Sequence, residues 1–128
     1  IFRTQSLFKN AMGSLQSNSA AASSPGTNME SFINEQINAH KVVVFSKTYC
    51  PYCTRTKNLF GTQYSSVDVV THELDKRDDG AAIQATLASM SGQRTVPSVW
   101  IGGKFVGGNS ETQAAHKSGE LKTMLVLD

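Results

Sequence analysis

The sequence predicts an α/β domain in which helices flank a small four-stranded mixed sheet. Short β-branched segments alternate with longer amphipathic segments, a pattern typical of strand–helix–strand units with parallel strands. Two further β-rich segments are separated only by Gly102 and Gly103, which indicates an antiparallel hairpin. A sheet with both kinds of pairing is mixed, and its helices cover both faces.

The first half of the chain contains two predicted helices with one strand between them. Thr27 and Glu30 have the spacing of a capping box, so we expect the first helix to begin there. The apolar segment 42–45 follows as a buried strand. The next helix is expected to reach about Phe60, with Gly61 as its end.

The second half begins with a predicted strand over 67–74, where β-branched residues are frequent. Asp78 and Asp79 are expected to cap a third helix, because carboxylates accept the free N–H groups of a first turn. The apolar residues of this helix recur at helical spacing, and Gly92 is expected to end it.

The predicted hairpin joins the segments 97–101 and 104–106. Ser110 and Gln113 have capping-box spacing, and we expect them to start a C-terminal helical region. Gly119 divides this region into two helices. The resulting order of helix, strand, helix, strand, helix, hairpin and helix is that of a thioredoxin-like fold.

Length and composition allow one compact domain. The chain has 128 residues, of which 39% are hydrophobic and 17% charged, and no apolar run approaches the roughly 18 residues of a membrane span. We assign residues 29–128 to this domain and residues 1–28 to a disordered leader. Serine, alanine and asparagine are frequent in the leader, and such a composition cannot form a core.

Charge divides unevenly between these two parts. The leader carries Arg3 and Lys9 and no acid, whereas residues 29–128 carry ten basic and ten acidic residues. A neutral domain gives no reason to expect nucleic-acid binding. We expect a cytoplasmic protein, since two cysteines at this spacing do not resemble a secreted disulfide scaffold. The basic, serine-rich leader leaves a mitochondrial or plastid location open, through residues 1–28.

The only two cysteines, Cys50 and Cys53, lie where the first strand passes into the second helix. A thiol in the first turn of a helix is close to free N–H groups and to the positive end of the helix dipole, which favour the reactive thiolate. Lys47, Arg55 and Lys57 add positive charge, and no acid lies among them. We therefore expect Cys50 to have a pKa between about 3.5 and 7.5 and to act in redox chemistry.

Two other uses of a C-x-x-C pair fit the sequence less well. A structural disulfide across two residues would close a very short loop and remove little entropy from the unfolded chain. A tetrahedral zinc site would need two further ligands, and His40, His72 and His116 are not spaced as a ligand pair. A C-x-x-C beside a strand–helix–strand pattern instead indicates a thioredoxin-like redox site.

Four separated motifs resemble those of the dithiol class of the glutaredoxin family. They are Ser46–Cys53 (SKTYCPYC), Glu73–Asp75 (ELD), Gly92–Pro97 (GQRTVP) and Gly107–Ser110 (GGNS). The resemblance covers about residues 29–127. It implies a thioredoxin-like fold and a glutathione-dependent thiol-disulfide oxidoreductase that reduces protein–glutathione mixed disulfides and protein disulfides.

The two thiols have different expected roles in this chemistry. Cys50 is expected to attack the substrate as the nucleophile, and Cys53 to resolve the intermediate by closing an internal disulfide. The resemblance implies glutathione as the co-substrate, regenerated through NADPH and glutathione reductase, and no metal is expected. We expect a monomer whose partners are glutathione and glutathionylated proteins.

The resemblance also implies a set of glutathione-binding residues. The set comprises Lys47, Tyr52, Gln84, Thr95, Val96, Pro97, Gly108, Asn109 and Ser110, with Arg94 as a further candidate. Lys47 and Gln84 match the family's partners for the glycine carboxylate of glutathione, and the bond before Pro97 matches the family's cis peptide. The helix start after Gly108 is expected to hold the γ-glutamyl end through free N–H groups.

Three other functions are compatible with parts of the sequence. A thioredoxin served directly by a flavoenzyme is one, although Lys47, Tyr52 and the Gly107–Ser110 motif argue against it. An iron–sulfur cluster carrier is the main alternative; in it, two subunits hold a cluster through Cys50 and two glutathiones. An inactive scaffold is the third, and it conflicts with the presence of a suitable residue at every catalytic position.

Overall fold

The structure, a computed structural model, describes residues 25–126 and the side chains of residues 29–126. Within this range the elements are α1 (Pro25–Ala39), β1 (Val42–Ser46), α2 (Pro51–Gln63), β2 (Val69–Glu73), a 3-10 turn (Leu74–Lys76), α3 (Gly80–Ser91), β3 (Ser98–Ile101), β4 (Lys104–Gly107), α4 (Asn109–Ser118) and α5 (Glu120–Val126). The strand order is β2-β1-β3-β4, with β1 and β2 parallel and the other two pairs antiparallel. The predicted mixed four-stranded sheet and thioredoxin-like order are confirmed.

Helices cover both faces of the sheet, so the core has two layers. On one face, α1 and α3 pack on Phe45 of β1 and Trp100 of β3. On the other face, α2, α4 and α5 pack on Val44 and Val99. β1 is buried along its whole length, which explains its unbroken apolar run. Trp100 also contacts Phe105 of β4, with ring centroids 5.3 Å apart, as expected for hairpin residues packed on the core.

Two predicted helix boundaries are wrong because the helix extends past them. α1 begins at Pro25, two residues before the predicted cap at Thr27, and so includes part of the predicted leader. Proline suits a first turn, since its missing N–H removes no helical hydrogen bond. α2 continues through Gly61, an exposed position where glycine costs only about 1 kcal/mol of helix stability. At the end of the helix the Tyr64 N–H donates to the Phe60 carbonyl at 3.1 Å, and the two rings lie with their centroids 6.1 Å apart.

The third helix shows how side-chain pairing changes a helix start. α3 follows Asp79, but the Asp79 carboxylate binds the Arg77 guanidinium at 2.8 and 3.0 Å and does not cap the helix. Gly92 ends α3 as predicted, with a φ of 82°. β2 is shorter than predicted, because the chain turns into the 3-10 segment at Leu74.

Gly80 is buried at the start of α3, where this helix meets the turn after β2. A Cβ atom at this position would overlap the Leu74 carbonyl oxygen, so a larger residue forces the two segments apart. We expect Gly80→Ala to lower the free energy of unfolding by about 1–3 kcal/mol, measured by urea denaturation. Gly61→Ala is the matched control: open space surrounds the added methyl group, and helix propensity is expected to raise stability by up to about 1 kcal/mol. A Gly80→Ala midpoint at or above the wild-type value would contradict the packing argument.

Part of the predicted organisation lies outside the described residues. This applies to residues 1–24 and 127–128, so the disorder and the targeting role of the leader stay predictions. Over residues 25–126, no helix has both the length and the apolar composition that a membrane span requires.

Candidate active site

Cys50 immediately precedes the first turn of α2, close to the point where the chain leaves β1. Its Sγ atom accepts a hydrogen bond from the backbone N–H of Cys53 at 3.4 Å. Pro51 occupies the first helical position. The same Sγ atom lies 3.8 Å from the Val96 carbonyl oxygen. The Cys50 thiol is therefore held between a helix N-terminus and the loop before β3, and both cysteines are free thiols.

The surroundings of Cys50 favour its thiolate. Partial burial opposes ionisation and is the largest single influence on its pKa. Hydrogen bonds from Cys53 and from the backbone N–H of Tyr52, together with the positive charge of Lys57, outweigh burial and lower the pKa of Cys50 below its ordinary value. The direction of this shift is the one that the sequence predicts.

Cys53 is fully buried one helical turn further along α2. Burial is the main cause that raises the pKa of Cys53 to about 11, and the neighbouring Cys50 raises it further. The backbone N–H of Lys47 and the hydroxyl of Ser46 oppose this rise without cancelling it. Cys50 is thus a partly exposed thiol with a lowered pKa, and Cys53 is a buried thiol with a raised pKa. This difference suits a pair of thiols that react one after the other.

Alkylation by iodoacetamide is expected to distinguish the two thiols. As pH rises, Cys50 loses its proton first, because its pKa is lowered, so its alkylation reaches half-maximum at a lower pH than in the urea-unfolded protein. Cys53, with a pKa of about 11, stays unmodified over that range. Mass spectrometry counts the modified thiols, and a Cys53→Ser variant isolates the Cys50 profile. Equal midpoints in the folded and unfolded protein would contradict this assignment.

A groove of about 300 Å³ opens beside Cys50. Its walls come from the loop before β3, the chain around the start of α4 and the first turn of α2. The lining residues are Tyr52, Gln93, Thr95, Val96, Pro97, Gly108, Asn109, Ser110 and Glu111. Seven of the nine predicted glutathione-binding residues therefore meet in one groove. The Val96–Pro97 peptide bond is cis, as predicted.

Gln93 holds the loop that forms one wall of the groove. Its side-chain amide donates to the Thr95 carbonyl at 2.9 Å and to the Pro97 carbonyl at 3.0 Å. These two carbonyls flank Val96, whose own carbonyl faces Cys50. Gln93 belongs to the Gly92–Pro97 motif, but the sequence alone predicts no role for it. A side chain that bridges two carbonyls can be identified only once the turn is folded.

The opposite wall is the first turn of α4. This helix begins at Asn109 and not at the predicted Ser110, because the Glu111 carboxylate accepts the Gly108 N–H at 2.8 Å. One of the predicted ligand-binding N–H groups is therefore already occupied. The Asn109 side chain is also used internally, since its Oδ1 accepts a hydrogen bond from buried Thr56 at 3.0 Å. The first-turn N–H groups of Asn109 and Ser110 have no partner within the helix and remain for a ligand.

Two predicted residues, Lys47 and Gln84, lie outside the groove lining in the described part of the chain. Lys47 is half-buried in the loop before Cys50, and its carbonyl accepts the Cys50 N–H at 3.1 Å. Gln84 donates to the Arg94 carbonyl at 2.9 Å and so joins α3 to the loop before β3. Both residues therefore adjoin segments of the site without lining its groove.

Two exposed tyrosines flank Cys50. Tyr52 lines the groove as predicted but remains 55% exposed, and Tyr49 is 71% exposed. The Arg55 guanidinium lies 5.2 Å from the centroid of the Tyr52 ring, within the range of a cation–π contact. Tyr52 therefore has a cationic neighbour while more than half of its surface stays exposed.

A larger cavity, of about 550 Å³, lies at the opposite end of the sheet beside Lys41 and Gly102. It includes neither thiol, so size alone does not identify the chemical site. Within residues 25–126, no three His, Cys, Asp or Glu side chains are grouped as metal ligands. The chemistry described here rests on the two thiols and the groove beside them.

Comparison with known proteins agrees with this geometry. A family model described as Glutaredoxin matches residues 42–106. Glutaredoxin-C4 of Arabidopsis thaliana is 47% identical over 107 residues, which cover 84% of this chain and 76% of that protein. The chain belongs to the glutaredoxin family. A glutaredoxin of Ricinus communis is 50% identical over 91 residues, covering 71% of this chain and 87% of that protein.

Solved structures of glutaredoxins share the fold. The crystal structure of a buckwheat glutaredoxin–glutathione complex matches with a TM-score of 0.74 at 44% identity, over 79% of this chain and 90% of that one. This glutaredoxin is a glutathione-dependent thiol oxidoreductase with a thioredoxin-like fold, and its adjacent Cys50 and Cys53 are consistent with the dithiol class. The comparisons favour this function over the predicted alternative of a cluster carrier.

Proposed function

We propose that this glutaredoxin uses glutathione to reduce protein–glutathione mixed disulfides and protein disulfides. The proposal is carried by the combination of a thiolate-favouring Cys50, a groove beside it and a buried Cys53 one turn away. The thiolate supplies the nucleophile. The groove supplies a place for the glutathione part of a mixed disulfide, and the second thiol supplies a way to release a protein product.

In the first route, Cys50 acts with glutathione alone. Its thiolate attacks the glutathione sulfur of the substrate, a Cys50–glutathione disulfide forms, and the protein leaves as a thiolate that takes a proton from water. The thiolate of a second glutathione then attacks the bound glutathione sulfur. Oxidised glutathione leaves, Cys50 is again a thiolate, and glutathione reductase uses NADPH to reduce the oxidised glutathione.

In the second route, both thiols reduce a protein disulfide. Cys50 attacks one sulfur of that disulfide and forms a mixed disulfide with the protein. Cys53 then gives up its proton to solvent and attacks the Cys50 sulfur, and an internal disulfide remains. The two protein sulfurs leave as thiolates and take their protons from solvent. Two glutathione molecules reduce this disulfide and leave as oxidised glutathione. The Cys53 N–H donates to Cys50 Sγ at 3.4 Å, which keeps the two residues together at the start of α2.

We place glutathione in the groove beside Cys50. A buckwheat relative of the same fold is known as a glutathione complex, which supports this placement. The main chain at Val96 can pair with a peptide-like ligand as a short strand. The first-turn N–H groups of Asn109 and Ser110, at the positive end of α4, suit the carboxylate of the γ-glutamyl residue.

We assign the other end of glutathione to Lys47 and Gln84. Lys47 lies in the loop before Cys50, and its ammonium group matches the negative charge of the glycine carboxylate. Gln84 already donates one N–H to the Arg94 carbonyl at 2.9 Å, so the second N–H of its amide is the group available for the ligand. Arg94 is exposed and adds positive charge near the same end.

A coupled assay tests the proposal. It contains a glutathionylated peptide, glutathione, glutathione reductase and NADPH, and we expect NADPH oxidation to depend on both the protein and glutathione. Replacing glutathione and its reductase by thioredoxin reductase is the control, and we expect no turnover. A rate no faster than uncatalysed exchange, or equal turnover with thioredoxin reductase, would contradict the proposed function.

A further inference from the structure

The Glu73–Asp75 motif lies next to the active site, although the chemistry described so far gives it no role. In the parallel pairing of β1 with β2, Ser46 is in register with Glu73. The loop that carries Cys50 therefore leaves the sheet beside the segment that carries these two acids. Leu74, which separates the acids, is 3% exposed and packs in the core, so both carboxylates start from a fixed backbone.

The Glu73 carboxylate holds the cation that acts on Cys50. Its Oε2 lies 2.6 Å from the Lys57 ammonium, with the two side chains only 25% and 28% exposed. Among the described residues, the other oxygen, Oε1, is buried and has no hydrogen-bond partner. Lys57 in turn contributes to the lowered pKa of Cys50. The Lys57 ammonium is thus paired with a fixed carboxylate while its charge favours the Cys50 thiolate.

The Asp75 carboxylate holds the loop on the other side of Cys50. It accepts the Thr48 backbone N–H at 3.0 Å, and the Thr48 hydroxyl donates to its second oxygen. The hydrogen bond from the Thr48 hydroxyl is the main cause that lowers the pKa of Asp75, and the Thr48 backbone N–H adds to it. The carboxylate therefore stays ionised at neutral pH. Thr48 lies between Lys47 and Cys50, which are themselves joined by the hydrogen bond from the Cys50 N–H to the Lys47 carbonyl.

We propose that Glu73 and Asp75 are positioning residues for this site, one acting on charge and the other on geometry. Glu73 partly neutralises the Lys57 ammonium and so limits how strongly that positive charge stabilises the Cys50 thiolate. Asp75 fixes the loop through Thr48 and so places the Lys47 ammonium relative to the nucleophile; this part rests on the proposed function, in which Lys47 binds glutathione. Neither acid touches the reacting sulfurs.

The charge role is tested on the thiol itself, without glutathione. The groups that influence Cys50 are the Lys57 ammonium, the Cys53 thiol and backbone N–H groups from α2, and the Val96 carbonyl lies 3.8 Å from its Sγ atom. The thiolate fraction is measured by its ultraviolet absorbance at a pH below the wild-type midpoint. We expect Glu73→Gln to raise this fraction about two- to fivefold, because the whole Lys57 charge then acts on Cys50.

The double variant decides whether Glu73 acts through Lys57. Lys57→Gln is expected to lower the thiolate fraction about two- to fivefold, and adding Glu73→Gln is expected to change it no further. Asp78→Asn is the matched control, since it removes an exposed acid from the same connection, and we expect no change. The charge role would be overturned if Glu73→Gln raised the thiolate fraction equally in the wild-type and the Lys57→Gln background. It would also be overturned if the Glu73→Gln variant had the thiolate fraction of the wild type.

The geometric role is tested in the coupled assay. We expect Asp75→Ala to raise KM for the glutathionylated peptide about three- to tenfold, while kcat and the thiolate fraction of Cys50 stay within about twofold. Thr48→Val is expected to give part of this effect, and Thr48→Ser, which keeps the hydroxyl, to behave as wild type. Asp78→Ala is the control. An unchanged KM in Asp75→Ala would overturn this geometric role. No turnover in the wild-type protein would instead contradict the proposed function. The thiolate measurements would remain valid in that case, because they do not use glutathione.

Discussion

Replacing Cys50 with serine is expected to abolish both activities, with kcat/KM falling by about a thousandfold or more. A serine hydroxyl is not ionised at neutral pH, so the hydrogen bonds and the Lys57 charge that favour the thiolate have no nucleophilic anion to act on. Cys53 cannot substitute for it, because burial removes it from the substrate and raises its pKa to about 11. The coupled assay with a glutathionylated peptide measures the loss.

The interpretation requires that the Cys50→Ser variant is folded. The change replaces sulfur by the smaller oxygen at a half-buried position, so we expect circular dichroism and Tm close to those of the wild type. A folded variant that kept more than about one-tenth of the wild-type rate would overturn the assignment of Cys50 as the nucleophile.

Replacing Cys53 with serine is expected to separate the two routes. Deglutathionylation is expected to stay within about twofold of the wild-type rate, because serine retains the backbone N–H that donates to Cys50 Sγ and its hydroxyl can replace the Cys53 thiol as a donor. Reduction of a protein disulfide is expected to fall at least about tenfold, since no second thiol releases the mixed disulfide. The same preparation is assayed with a glutathionylated peptide and with a small disulfide-bonded protein.

Trapping the intermediate gives an independent measurement. In the Cys53→Ser variant, the mixed disulfide between Cys50 and the protein substrate is expected to accumulate and to be visible by mass spectrometry. A variant with serine at both positions is the control and forms no such species. Wild-type reduction of both substrates by Cys53→Ser would exclude the dithiol route, and loss of both activities would place Cys53 in the first step.

Much of the architecture follows from local patterns in the sequence. The apolar run 42–45 is the central strand, buried on both faces as its composition predicts. Gly102 and Gly103 form the hairpin turn with positive φ angles of 60° and 81°. Gly92 ends α3 in the left-handed conformation. In each case the residue type determines the backbone over a few neighbours, so a local pattern is sufficient.

The wrong predictions concern helix starts and ends, where side chains three or four residues away also make contacts. At Gly61 the helix continues, and the rings of Phe60 and Tyr64 contact each other on either side of it. At Ser110 the predicted cap lies inside α4, because the Glu111 carboxylate reaches back to Gly108. Several acceptors and donors compete for the groups at a helix end, and their positions depend on the fold.

By itself, the sequence determined that this protein is an α/β redox domain with a thiolate-favouring Cys50 at a helix start, because strand alternation, glycine turns and the C-P-Y-C spacing are local. Tertiary structure decided which side chains complete the site. The Lys57–Glu73 ion pair and the Thr48–Asp75 hydrogen bonds join segments that only the packed sheet brings together. It also decided the difference between the two thiols, since burial is a property of the packed chain and not of a residue's neighbours in sequence.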